Sequence, residues 1–165
     1  MRPNVTAEAL FDTLEAAWNA ARKDRALPRR QDIDAVKIGA LLPYAGLIDI
    51  VPGATLDLRY RLVGARTTES YGINLTGQFH SKVTAPERMP TQFYEICRRC
   101  VETATPQTLE ISNARNRKDL PFAVRARVWP LSDDGEHVTC LFGGALFRMP
   151  DPDDLDRGSR AVQDR

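Results

Sequence analysis

Long apolar runs are missing from this 165-residue sequence. The most extended one, IGALLPYAGLI at 38–48, is broken by Pro43 and is too short to cross a bilayer. The N-terminal MRPNVTAEALFDTLEAAW mixes acids into its apolar pattern, which is not the design of a signal peptide, so a soluble cytoplasmic protein is expected. A basic surplus is also missing: the net charge of +1 excludes a dedicated nucleic-acid binder. Cysteine is scarce, and three thiols, an odd number, suit a reducing compartment better than a disulfide framework. Two of them form Cys97-Arg98-Arg99-Cys100, but no second pair completes a zinc site, and the expectation is core packing with no metal. The histidines are two, His80 and His137; Glu136, adjacent to His137, points to the opposite side of an extended chain, and both histidines are expected at the solvent surface. Phosphate-loop spacings and the G-x-S-x-G elbow of hydrolases do not occur.

What is present is periodicity. Leu10, Leu14, Trp18 and Ala21 recur at helical spacing behind Thr6, a capping residue, predicting an amphipathic helix over 7–24. Asp34 caps a short helix that ends before Pro43. GLIDIV, PGAT and LDLRYRLVG then read as a hairpin, in which pairing Ile50 with Leu58 sets Asp49 opposite Arg59. Alternation places Leu56, Leu58, Tyr60 and Leu62 on one face and Arg59 and Arg61 on the other. After Gly64 a short helix holds ARTTESY, Gly72 ends it in the left-handed cap position, and INLTGQF crosses back. A longer helix over 89–104 carries the stripe Phe93, Ile96, Cys97, Cys100 and Val101. Three strands complete the pattern, at 108–115, 121–131 and 137–147. The last is apolar on both alternating faces and belongs at the centre of a sheet.

Helices, two strands, helices and three strands, with the last strand central, resemble the plan of the PAS domain. Trp18, LPRRQDID, LLPYAGLIDI, RYRLVG and YGINLTG strengthen that likeness toward bacterial single-domain PAS-like proteins. The resemblance implies an α+β fold, a PAS-like five-stranded antiparallel sheet of order 2-1-5-4-3 with an N-terminal helical extension. Residues 1–44 would form that extension, 45–148 the PAS-like domain and 149–165 a disordered tail. It implies a non-enzymatic sensory or regulatory module, with a small-molecule ligand, a homodimer partner or a signalling protein as its counterpart, and neither nucleic acid nor membrane. The alternative is a small acid–base enzyme of isomerase or dehydratase type, which would need a buried Asp/Glu/His pair. The cofactor is left unknown: the flavin-binding type carries a cysteine where this chain reads GINLTGQF, and the haem-binding type a histidine on the helix that is here 89–104.

Under that resemblance a cavity lies between the inner sheet face and the crossing helices. Its expected walls are Leu58, Tyr60, Leu62, Tyr71, Phe79, Phe93, Cys97 and Phe142, with two phenolic hydroxyls to orient a largely apolar ligand. A core filled by these same aromatics is the competing outcome. Leu10, Leu14 and Trp18 of the leading helix are expected to cover the sheet's outer face or the equivalent surface of a partner. Arg59, Arg61, Arg125 and Arg127 read as a solvated, salt-bridged surface rather than an anion site.

Overall fold

The structure, a computed structural model, describes residues 4–83, 91–115 and 121–148; the tail expected to be disordered lies outside them. Helix α1 (Ala7–Arg22) begins where Thr6 accepts a hydrogen bond from the Ala9 amide at 3.1 Å. Asp34 caps α2 (Ala35–Ile38) in the same way through the Val36 amide at 2.9 Å. That helix is shorter than its spacing suggests. Only Ala35–Ile38 is α-helical, and Gly39, with φ of 56°, passes the chain into a tighter 3-10 turn that carries Pro43.

Strands β1 (Ala45–Val51) and β2 (Asp57–Val63) form the hairpin, with Ile50 opposite Leu58 and Asp49 opposite Arg59, the register read from the sequence. The register then slips between Leu47 and Ile48, which stand opposite Leu62 and Tyr60, leaving Arg61 as the extra residue of a bulge. Helices α3 (Ala65–Tyr71), α4 (His80–Val83) and α5 (Thr91–Thr103) follow, then β3 (Gln107–Arg115), β4 (Pro121–Leu131) and β5 (Cys140–Arg148). The sheet is antiparallel throughout, in the order β2-β1-β5-β4-β3, so the strand apolar on both faces is indeed central. It starts three residues later than its sequence suggests. His137 therefore sits in the preceding turn, where it pairs with Asp134 at 3.0 Å.

Two cores share this sheet. On the inner face Ile48, Leu58, Tyr60, Leu109, Val124, Val128 and Leu141 meet Ile96, Cys97 and Cys100 of α5. On the outer face Leu10, Leu14 and Trp18 of α1 meet Trp129, Leu131 and Phe142. The role allowed for Leu10, Leu14 and Trp18 at a partner's surface thus gives way to an intramolecular one, because all three are buried against their own sheet. Trp18 secures the fit by donating its indole N–H to the Pro130 carbonyl at 2.8 Å.

Each large apolar side chain so buried contributes about 1.5–3 kcal/mol. The solvent-screened pairs beside it, Arg127 with Glu15 at 3.1 Å and Arg125 with Glu8, contribute less and mainly fix how α1 lies on β4. Arg61 pairs with Asp49 at 2.7 Å, so Arg61, Arg125 and Arg127 are salt-bridged as expected, while Arg59 lies over the Phe79 ring.

Helix α1 packs tightly on the sheet at Gly144, where an added β-carbon would lie 2.3 Å from Leu14 Cδ1. Gly144→Ala should therefore destabilise the fold by about 1–3 kcal/mol through overpacking, and Leu14→Ala by about 2–5 kcal/mol through a cavity. The double variant should cost clearly less than the sum, because the shortened residue 14 makes room for the new methyl. Urea titrations that give additive losses would show that the two residues do not share this contact.

Candidate functional site

Between the inner sheet face and the crossing segments lies a cavity of ≈ 110 Å³. Its floor is Ile48 of β1, Val124, Ala126 and Val128 of β4, and Gly143 and Ala145 of β5. Thr67 and Tyr71 of α3, Leu75 of the crossing and Phe93 of α5 stand over it, and the Phe122 and Phe147 rings also line it, tilted at 48° to each other with centroids 5.4 Å apart. Floor space exists because β4 and β5 present alanine and glycine where other inner positions carry Leu or Phe. The wall is almost wholly apolar.

Of the wall residues expected from sequence, Tyr60, Tyr71, Phe93 and Leu62 border this cavity. Leu62 does so with half of its surface in solvent. The bulge at Arg61 sets it opposite Leu47, which packs on the α1 side, so the simple alternation of β2 fails at this point. Leu58 and Cys97 are fully buried in the same core without lining the cavity. Phe142 lies on the other side of the sheet. Leu141, Gly143, Ala145 and Phe147 face the cavity side while Phe142 faces α1, 5.9 Å from the Trp129 ring. Phe79 is also outside, partly exposed, bridged to Arg59 along the edge of β2.

The floor residues of β4 were missed, although Phe122, Val124, Ala126 and Val128 alternate with Arg125, Arg127 and Trp129 and mark the inner face plainly. On β5 the signal was ambiguous, since an apolar residue on either face looks alike.

Behind Tyr60, outside the residues that line the cavity, β2 and α4 build a polar cluster. The Tyr60 hydroxyl and His80 Nδ1 are hydrogen-bonded at 2.9 Å, and the His80 ring stacks on Tyr94 with centroids 5.3 Å apart. Tyr94 in turn donates its hydroxyl to the Leu56 carbonyl at 2.7 Å. Asp57 ties α4 to the strand: it accepts from the Ser81 amide at 3.1 Å and the Ser81 hydroxyl at 2.5 Å, and from the Leu58 amide at 2.8 Å. His80 is therefore half-buried and engaged rather than exposed as expected, whereas His137 does lie at the surface.

Burial lowers the His80 pKa, with the Asp57 charge opposing, and burial pushes the Tyr60 phenol well above its ordinary value. Both groups are thus neutral near pH 7. For Asp57, burial acts to raise the pKa, but the hydrogen bonds from Ser81 and the Leu58 amide outweigh it and the net shift is downward. The buried thiols of Cys97 and Cys100 are raised, Cys100 to about 12, so neither carries thiolate chemistry.

A helix-flanked antiparallel sheet of order 2-1-5-4-3 over a small cavity defines a class, and the PAS domain family matches residues 7–146. This chain belongs to that family. Among curated proteins none matches. Among solved structures the chain is similar to "Flavin Analogue Sheds Light on Light-Oxygen-Voltage Domain Mechanism" at 14% identity and a TM-score of 0.51, covering 79% of this chain and 96% of that one. It is also similar to "The light state structure of the blue-light photoreceptor Aureochrome1 LOV" at 11% identity and a TM-score of 0.47, covering 74% and 92%. At 14% identity, what the chain shares with the first of these is the fold.

A flavin does not fit the wall found here. The cavity of ≈ 110 Å³ falls below the roughly 300 Å³ at which pockets for larger ligands begin. No cysteine lines it, and the three cysteines pack elsewhere, buried. Among the described residues no cluster of His, Cys, Asp or Glu is arranged to hold a metal ion, and no helix is long and apolar enough to cross a membrane.

The His80 shift carries a pH signature. Its folded pKa lies below the unfolded value of about 6.5, so the unfolded chain binds more protons in that window. The stability His80 contributes is fully present above about pH 6.5 and is lost as pH falls toward the folded pKa. Asp57, whose pKa is also depressed, acts only lower, below about pH 3.9. Denaturation midpoints measured from pH 7.5 to 5 should fall in the wild type and flatten in His80→Gln, which keeps a hydrogen-bonding group without a titrating one. Equal slopes in the two proteins would remove His80 as the cause.

Proposed function

We propose that this protein is a non-enzymatic sensory or regulatory PAS module of bacterial signal transduction. Its cavity takes a small, largely apolar ligand, and it signals by association with a protein partner or a second copy of itself. The observation that carries the reading is the cavity, floored by the small residues Ala126, Gly143 and Ala145 and walled by apolar side chains. Natural interiors close such space when nothing needs it. A module that works through a conformational response gains from it, since a ligand stabilises whichever packing binds it better.

The enzyme alternative finds less support. Acid–base catalysis needs a titrating group aimed at the substrate, and the Tyr60 hydroxyl is hydrogen-bonded to His80, which is not among the residues that line the cavity.

A metabolite screen read by thermal unfolding tests the proposal. A ligand at about a hundred times its dissociation constant should raise the melting temperature by about 5–10 °C. Ala126→Leu, which adds volume to the cavity floor, should fold and abolish that rise. A screen without any shift, or a shift that survives Ala126→Leu, would remove the cavity from the function.

A further inference from the structure

Resting on that reading of the cavity, we infer its ligand class: an uncharged molecule of at most about six non-hydrogen atoms that makes no hydrogen bond to the protein, in effect a small hydrocarbon or apolar gas. Size sets the first limit. An engineered apolar cavity of about 150 Å³ accepts benzene or xenon, and this one, at ≈ 110 Å³, is somewhat smaller.

The orientation of the polar residues sets the second limit. Tyr60, Tyr71, Thr67 and Arg127 are among the lining residues, yet the surface they show the cavity is almost wholly apolar. For two of them the reason is visible. The Tyr60 hydroxyl is hydrogen-bonded to His80 Nδ1 at 2.9 Å, and the His80 ring is held from behind by Tyr94. The Arg127 guanidinium bonds Glu15 at 3.1 Å and stacks on Trp129, on the α1 side of the sheet.

A ligand hydroxyl, amine or carboxylate pressed against this wall would give up its water without a partner to replace it. That penalty exceeds what one additional buried carbon returns. The wall therefore selects by shape and by the absence of polar groups. Of the two phenols expected from sequence to orient a ligand, Tyr60 serves instead as wall, its hydroxyl committed to His80.

The test compares cyclopentane, cyclopentanol and cyclopentanone, with xenon as a fourth probe, by chemical-shift titration of the inner-face methyl groups in the intact protein. Xenon and cyclopentane should shift those methyls, and cyclopentanol and cyclopentanone should bind at least about tenfold more weakly than cyclopentane. Tyr60→Phe should leave the cyclopentane affinity and the discrimination unchanged within about twofold. Ala126→Leu should abolish binding, and Ala145→Leu serves the same purpose should the first variant fold poorly.

Binding of the alcohol or ketone as tight as that of cyclopentane, or loss of their affinity on Tyr60→Phe, would overturn the assignment while leaving the cavity reading in place. Failure of xenon and cyclopentane alike to shift the methyls would show a closed core, ending both.

Discussion

Everything in this molecule is arranged around one strand that has to be covered on both faces. β5 lies at the centre of the sheet, with β1 and β4 hydrogen-bonded on either side, and it separates two hydrophobic cores. Large side chains at every position would hold both layers away from it. Gly143 and Gly144 solve the two sides in opposite ways. At Gly144 the missing side chain lets Leu14 descend onto the backbone, which seats α1, whereas at Gly143 and Ala145 it leaves the space beneath the crossing helices that becomes the cavity. The same economy of atoms thus yields tight packing on one face and a void on the other.

The second constraint is the buried phenol of Tyr60. Its hydroxyl cannot be left without a partner in an apolar core, since the penalty is of the order of 1–3 kcal/mol. The chain meets this by placing His80 at the start of α4, stacking it on Tyr94 and fixing the helix to β2 through Asp57 and Ser81. Burial then keeps both rings neutral, so the pair is a structural joint between strand and crossing segment. One consequence reaches the cavity: with the hydroxyl committed outward, the wall facing any ligand is hydrocarbon. Local satisfaction of one polar group thereby sets the chemical character of the site.

Much of the architecture was legible because it depends on short-range rules. Thr6 and Asp34 do cap helices, the alternation of β1 and β2 does set Asp49 opposite Arg59, and Gly72 does adopt positive φ at the end of α3. The double-sided apolar pattern of 137–147 did place its strand at the centre, though that strand starts only at Cys140. These follow from the residue's own backbone preferences and from the 3.6 and 2.0 periods of helix and strand.

What the sequence determined by itself, then, was the order of elements, the hairpin register and the strand that had to be central. Only the tertiary structure decided which face of each strand looks at the cavity. A bulge at Arg61 moved Leu62 partly out, and the pairing of β5 with β1 and β4 turned Phe142 toward α1. Alternation assigns residues to two faces without saying which face is which, and one extra residue exchanges them. Tyr60 and His80 are twenty positions apart, and their meeting depends on how the intervening helix and loop fold back along the edge of β2. No local period encodes that return path, because it is fixed by contacts between segments rather than by the preferences of either one.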